Sequence, residues 1–415
     1  MISNPLHLLA AEIGVSTLVV AFTNPNSLLR PASLPFTAAC MWFTVLNSPG
    51  FMVRSAWAAL LGGYAATFFF QYLDVGLLSR WSFETRGPTY GISKSSRTAL
   101  NERDPKGEHP KLQQGSSMQR IRFALSTLLN FRFIGTPEQV KNVPRFPNSD
   151  PNYVPSRRQF LQNSAITTFV SYLVLDILTS SADPGTAAKY FSNSNIPLLS
   201  RLSVISAAEL GMRFGATIGM GVSMICVQQG ICSVAAFFCV AYGISKPEGW
   251  PTLYGLVSEA YSLRRFWGIF WHQSNSHKLK SLSRVLLQEV LRLPPRSQVT
   301  RHLRLVVIFS CSGLMHVLVD IASGIPLHEF GAMSFFMVQI VGIMVEDAAI
   351  NIYQRLATSN ERHASLKWRI LGYIWVLVFL TWSVPSYLFP ILIRSGQEES
   401  IIPFSIISNL KSGTS

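Results

Sequence analysis

Charged side chains are scarce in this chain. Asp, Glu, Lys and Arg make up 13% of its 415 residues, against about 25% in a soluble domain. That shortage, with a mean hydropathy of +0.29 and repeated long apolar runs, excludes an ordinary soluble fold. It predicts an all-α, multipass transmembrane helical bundle. Cysteine is also rare. The five present (Cys40, Cys226, Cys232, Cys239 and Cys311) lie in apolar segments, are odd in number and form no CxxC. They suggest small packing residues rather than a disulfide framework or a zinc site. No Lys or Arg precedes Arg30, so a cleaved signal peptide with a basic start is not expected, and the first apolar segment should stay as a membrane helix.

Other absences narrow the chemistry. No GxGxxG or P-loop run is present, which argues against nucleotide cradling by a glycine loop. His272 and His277 stand five apart, unlike HExxH, and no metal is expected. No Ser-His-Asp order, Cys nucleophile context or pair of catalytic carboxylates stands out. Nothing beyond basic charge points to nucleic acid. Inverted internal repeats, frequent in transporters, are not visible.

The positive charge is concentrated. Of the net +14, residues 79–162 hold 14 Lys/Arg against 6 Asp/Glu, and residues 264–304 hold 9 against 1. Excess Lys and Arg mark cytoplasmic loops, which places both on one side. Such charges set topology and touch anionic lipid; some are also candidates for a phosphate-bearing cosubstrate. Three regions follow: N-terminal membrane helices over 1–78, a basic cytoplasmic loop over 79–162, and a membrane core over 163–415.

Apolar runs predict eight or nine crossings or half-crossings. They lie at about Leu6 to Phe22, Phe36 to Leu46 (short and possible as a re-entrant piece), Ala56 to Leu73, Ser164 to Thr179, Val204 to Cys226, Ile231 to Ile244, Leu303 to Ala322, Met333 to Ile352 and Ile370 to Ile393. Gln228-Gln229-Gly230 separates the fifth from the sixth. Three segments between two same-side loops break parity, so one must be re-entrant or a crossing must hide in 245–262. Gly211, Gly215 and Gly219 form a small-xxx-small row that predicts close helix packing. Asp176 is expected near a boundary or paired. The loop's first half, up to about Gly115, reads as poorly ordered, and its second half, with Asn130-Phe131-Arg132-Phe133, as packed on the cytoplasmic face.

Two stretches carry the chemistry. Arg264-Arg265-Phe266-Trp267-Gly268-Ile269-Phe270-Trp271-His272-Gln273 pairs Phe266 with Phe270 and Trp267 with Trp271 at i,i+4. Arginines beside tryptophans suit a helix lying at a membrane–water boundary. In Ser312-Gly313-Leu314-Met315-His316 a histidine falls inside an apolar run, where an ionisable group is a functional candidate by default. An imidazole titrates near pH ~6.5 and can take and return an alcohol proton; the plainer alternative is a packing histidine bonded to a neighbour. Ser312 and Gly313 are small and leave room beside it for a substrate or a neighbouring helix. Asp320, at i+4, is placed to orient the ring or, more plainly, to end the segment. His272 is a candidate to orient a thioester or a water, or else a boundary histidine. Glu346-Asp347, with Gln339 on the same face as Glu346, put acids inside the eighth segment for a structural or tunnel-lining role.

At these two stretches the chain resembles the membrane-bound O-acyltransferase superfamily, in its wax-synthase-like branch as found in fungi. Gly135-Thr136-Pro137, Trp250-Pro251 and Glu346-Asp347 add weaker likeness, over roughly residues 130 to 390. The resemblance implies that His316 is the buried catalytic histidine. It puts His272 where many members carry Asn, Asp or His. It also implies a tunnel lined by Trp267, Trp271, Gln273, Ser312, Gly313, Asp320, Gln339, Glu346 and Asp347. An acyl-CoA would arrive from the cytoplasmic side, with Arg264, Arg265 and Lys141 as candidates for its phosphates, and an alcohol from the membrane or the opposite side. No permanently bound cofactor is implied; acetyl-CoA is the expected cosubstrate and a terpenoid or meroterpenoid alcohol the expected acceptor. Long-chain wax-ester synthesis is the enzymatic alternative, and a non-catalytic transporter or scaffold the other class. The expected location is the endoplasmic reticulum membrane, and no oligomeric state follows from the sequence.

Overall fold

A computed structural model describes residues 4–89, 115–147, 150, 152–180, 184–356, 366–395, 401–407 and 409. Apart from one two-residue strand pair, Trp81–Ser82 against Gly87–Pro88, the regular elements described are helical. They are α1 (Pro5–Phe22), α2 (Leu34–Phe51), α3 (Ser55–Tyr72), α4 (Ser117–Leu129), α5 (Arg157–Ser180), α6 (Ala207–Ala241), α7 (Ser276–Arg284), α8 (Gln298–Ala322), α9 (Ala332–Leu356), α10 (Leu366–Ser383) and α11 (Pro385–Ser395), with short helical turns between.

Among the described residues, five stretches are long and apolar enough to cross a membrane: α1, α5, α6, α8, and α9 with its lead-in from Leu327. Helices α10 and α11, bent by 49°, make a sixth if they form one span. Val341 and Phe169, on α9 and α5, are each 59% exposed, and such side chains are at home only in an apolar solvent. The protein is an integral membrane protein. The expected eight or nine crossings are not reached on this measure. Helices α2 and α3 have the length but not the apolarity, since Pro, Gly, Asn, Gln and Ser dilute them.

The fifth and sixth segments are one helix, α6, of 35 residues. Gln228-Gln229-Gly230 does not break it, because each polar group there has a use. The Gln229 carbonyl oxygen accepts the Leu253 N–H at 2.9 Å, and that of Gln228 accepts the Tyr254 hydroxyl at 3.0 Å. Gly230 faces Ser171 on α5 closely enough that a Cβ would lie 3.4 Å from its Cβ. The parity conflict disappears with this correction. Among the described residues, α5 and α6 are the two candidate crossings between the basic loops, an even number, as two loops on one side require.

The Gly211, Gly215 and Gly219 row also needs correction. A Cβ added at any of them meets nothing within 4 Å, so no described helix packs there. Close approach is made elsewhere. A Cβ on Gly62 would lie 2.3 Å from that of Ala322, which brings α3 against α8. A Cβ on Gly313 would lie 3.0 Å from the Met333 sulfur and 3.2 Å from the Phe336 Cβ, which brings α8 against α9. Helix α8 is thus clamped between α3 and α9, and His316 sits on it. The second half of the basic loop packs inward: Phe133 is 1% exposed and stacks on Trp81 at 4.8 Å. The part expected to be poorly ordered lies largely outside the described residues.

Substituting Gly62→Val should push α3 off α8 and destabilise the protein by about 1–3 kcal/mol, the usual cost of overpacking. Thermal unfolding of detergent-purified protein should show a lower midpoint for Gly62→Val but not for Gly14→Ala, whose added Cβ meets nothing.

Candidate functional site

The aromatic stretch begins at a carboxylate. Glu346, buried on α9, accepts the Leu263 N–H at 2.6 Å, the Arg264 N–H at 3.2 Å and the Trp375 indole N–H at 3.1 Å. Open N–H groups at a helical start favour an anion, so Glu346 anchors the turn Leu263–Arg265. Asp347 pairs with the Arg264 guanidinium. Arg265 pairs with Glu259 and lies over the Tyr261 ring at 4.6 Å.

Phe266–Phe270 then forms a π-helical turn, closed by the Trp271 N–H donating to the Phe266 carbonyl at 2.7 Å. Such wide turns recur at functional sites. The expected pairs do meet, Phe266 with Phe270 at 5.4 Å and Trp267 with Trp271 at 5.7 Å. The stretch is not one regular α-helix, however. Leu263 and Phe270 are buried in it, because Glu346 and the Gly255–Phe270 backbone bond of 2.8 Å draw it into the bundle. A side chain at 255 would meet the Ile269 carbonyl at 2.5 Å, so only glycine permits that bond.

From this turn an aromatic path leads to the histidine. Trp267 donates its indole N–H to the Gln339 carbonyl oxygen at 3.2 Å and lies 6.1 Å from the Phe336 ring, which lies 4.4 Å from the His316 ring. Gln339 in turn donates to the Ser383 hydroxyl at 3.2 Å. The Tyr387 ring meets His316 edge-on at 5.8 Å. His316 Nδ1 lies 2.8 Å from the Ser312 carbonyl oxygen. A carbonyl has no proton to give, so Nδ1 carries the hydrogen and the neutral ring leaves Nε2 as the basic nitrogen.

Asp320 does not meet the ring. Its Oδ2 accepts the Ala332 N–H at 3.3 Å, at the start of α9, while Oδ1 is buried without a hydrogen bond. The imidazole is oriented by its own helix, one turn back, and Gly313 admits α9 rather than a substrate.

His272 stands beside Tyr254, at 5.8 Å, and Trp271, at 5.7 Å, with Nδ1 buried and unbonded. Burial holds its imidazole far below the usual range, at about 3, and nearby His316, Lys278 and Arg132 lower it further. His272 is therefore neutral at physiological pH. Gln273 is a clamp within the turn, donating to the Gly268 and Trp271 carbonyls at 2.9 and 3.1 Å. Lys141 lines an open cleft with Arg145, Asn142, Tyr153 and Glu248, and Asn142 donates to the Gly268 carbonyl at 3.2 Å.

Sequence reasoning passed over two cations near His272. Arg132 donates to the Pro251 and Thr252 carbonyls at 2.5 and 2.6 Å. Lys278 is buried beneath the Phe131 ring and bonds the Ser274 carbonyl and the Asn275 side chain, each at 3.0 Å. Its neighbour His277 pairs with buried Asp74 at 2.5 Å. A charge inside Asn-Phe-Arg-Phe was the available signal for Arg132; Lys278 has none, since its burial depends on contact with a loop more than a hundred residues earlier.

Comparison with known proteins places the chain in a family. Residues 250–338, which contain the aromatic turn and both histidines, match the profile of the Membrane bound O-acyl transferase family. The chain is 32% identical to Acetyltransferase aurG of Calcarisporium arbuscula over 92% of its own length and 91% of that protein. It is 29% identical to Acetyltransferase fsoF of Humicola fuscoatra over 96% and 98%. It is 34% identical to Acetyltransferase ataH of Aspergillus terreus over 68% and 93%. The chain belongs to the membrane-bound O-acyltransferase family. As an acyltransferase it takes an acyl donor and an acceptor, and its likeness extends well beyond the profile, into the N-terminal helices.

Lys278 generates a pH prediction for this acyltransferase. Burial lowers its amine to about 7, with Asp74 opposing, whereas an unfolded lysine titrates near ~10.4. Between these values the unfolded chain binds more protons, so stability rises with pH over that window. Melting curves of purified protein between pH 7 and 9 should climb, and should flatten in Lys278→Met.

Proposed function

We propose that this acyltransferase moves an acetyl group from acetyl-CoA to a hydroxyl of a lipophilic secondary metabolite, such as a terpenoid or meroterpenoid, with His316 as general base. The single observation that carries the proposal is the His316 Nδ1–Ser312 carbonyl contact of 2.8 Å. It aims a basic Nε2 away from the helix backbone in a bundle that excludes water. Nε2 takes the hydroxyl proton as the alcohol oxygen bonds to the acetyl carbon. The C–S bond breaks, and the proton passes from His316 to the CoA thiolate. His272, neutral and with an unbonded nitrogen, is suited to hold the thioester from the cytoplasmic side.

Trp267, Trp271 and Phe336 wall the passage, and Gln339 holds Trp267 in place. Ser312 and Gly313 shape it indirectly, one through its carbonyl and the other through helix contact. Glu346 and Asp347 hold the turn that carries His272. Lys141, with Arg145, is better disposed for CoA phosphates than Arg264 and Arg265, which are committed to Asp347 and Glu259. The names of the relatives, each an acetyltransferase, favour the short acyl group. The endoplasmic reticulum membrane, with the donor side cytoplasmic, suits an enzyme that meets CoA in the cytosol and its alcohol in lipid.

Microsomes holding the protein, given labelled acetyl-CoA and a terpenoid alcohol, should form the ester. His316→Ala should lower that rate by about 10²–10⁴-fold, the usual range for a general base, with the protein level unchanged. A His316→Ala rate equal to wild type would remove the base from the mechanism. Preference for palmitoyl-CoA over acetyl-CoA would instead assign long-chain ester synthesis.

A further inference from the structure

Residues 401–407 lie across the outside of the bundle as a strap, held chiefly by one carboxylate. Asp176, fully buried near the end of α5, accepts the Ser405 hydroxyl at 2.6 Å and the Ser180 hydroxyl at 2.9 Å on one oxygen. The other accepts the Ile406 and Ile407 N–H groups at 2.8 and 3.1 Å. Four donors match the accepting capacity of an ionised carboxylate. Two further tethers reach other points: the Trp57 indole N–H of α3 donates to the Ile401 carbonyl at 2.8 Å, and the Tyr172 hydroxyl of α5 donates to the Phe404 carbonyl. Ile402, 5% exposed, packs with Leu175 and Val227 of α5 and α6, and Leu60 of α3 joins the same cluster. Helix α3 packs chiefly on α2 and α8, while α5 and α6 pack on each other. The strap bridges these two groups.

A path of contacts leads from that bridge to His272. Val227 is followed by Gln228 and Gln229, which hold Tyr254 and Leu253, and the Tyr254 ring stands against His272. Leu60 of α3 and Cys226 of α6 pack against the same cluster as Ile402. The seam between α3 and α6 therefore converges on the wall beside His272, and the apolar side of the strap covers its outer end.

We propose that residues 401–407 close an acceptor portal between α3 and the α5–α6 pair, with Ile401 and Ile402 forming the part of its wall that meets the lipophilic alcohol. The proposal rests on the acyl-transfer reading. An apolar plug tied by hydrogen bonds to a few side chains yields to a lipophilic molecule and reseals against water. When the seal fails, water replaces the alcohol: its oxygen bonds to the acetyl carbon, the C–S bond breaks, and acetate and CoA thiol leave.

The test uses the full-length chain in microsomes, comparing wild type with Ile402→Ala, Asp176→Asn and Ser405→Ala at matched protein level. Measured quantities are the KM for a terpenoid alcohol, the KM for acetyl-CoA, and the ratio of free CoA released to ester formed. Ile402→Ala should raise the alcohol KM by about tenfold, the low end for a lost apolar contact in a pocket, and leave the acetyl-CoA KM unchanged. Asp176→Asn and Ser405→Ala should raise the CoA-to-ester ratio. If Asp176→Asn fails to accumulate, Ser405→Ala reads the same tether from the strap side. Unchanged alcohol KM and ratio in Ile402→Ala and Ser405→Ala would overturn the portal, as would a rise confined to the acetyl-CoA KM. A wild-type protein that makes no ester refutes the proposed acetyl transfer to such an alcohol, a result distinct from either.

Discussion

A charge enclosed in an apolar bundle must be met by partners, because the membrane interior offers no water to solvate it. In this acyltransferase those partners are largely the backbone of connecting segments. Glu346 takes the first N–H groups of the aromatic turn, Asp320 the first of α9, and Asp176 two from the strap. Arg132 donates to the carbonyls of Pro251 and Thr252, and Arg213 to those of Asn195 and Ile196. Each contact meets a buried ionisable group and pins a loop at once, with Asp320 Oδ1 and Arg213 Nη1 left without a hydrogen bond. The precision of the site comes from this dual role, since irregular backbone is tolerated at membrane depth only where it is packed inside protein.

The two histidines show how little separate machinery the fold supplies. His316 is oriented by a carbonyl of its own helix, and His272 by a π-helical turn hung from Glu346 and Gly255. Trp267 and Phe336 pack between them. Arg132 and Lys278 lie on the His272 side, while the strap held by Asp176 packs apolar Ile402 against Leu175 and Val227.

Much of this was legible in the residues. The scarcity of charge declared the membrane, and His316 stood out as a candidate because an imidazole inside an apolar run is costly to bury. The Phe266–Phe270 and Trp267–Trp271 pairs did meet as their spacing required. Other features were misread for identifiable reasons. Gln228-Gln229-Gly230 has the composition of a turn, and only Leu253 and Tyr254, some 25 residues further on, make it the polar face of a continuous helix. Gly211, Gly215 and Gly219 have the right spacing for helix packing and no helix against them, whereas Gly62 and Gly313 sit in no such row and carry the close contacts.

The chain alone determined its solvent, its helical class and its family likeness, all of which depend on composition or on residues near one another in sequence. Tertiary structure alone decided which acid meets which backbone group: that Asp320 serves α9 and not the histidine, that Arg264 and Arg265 are already paired, and that Asp176 holds a segment more than two hundred residues away. The physical reason is that a hydrogen bond or ion pair is set by a few ångströms of space, and sequence separation carries no information about which distant groups the packed helices bring within that reach.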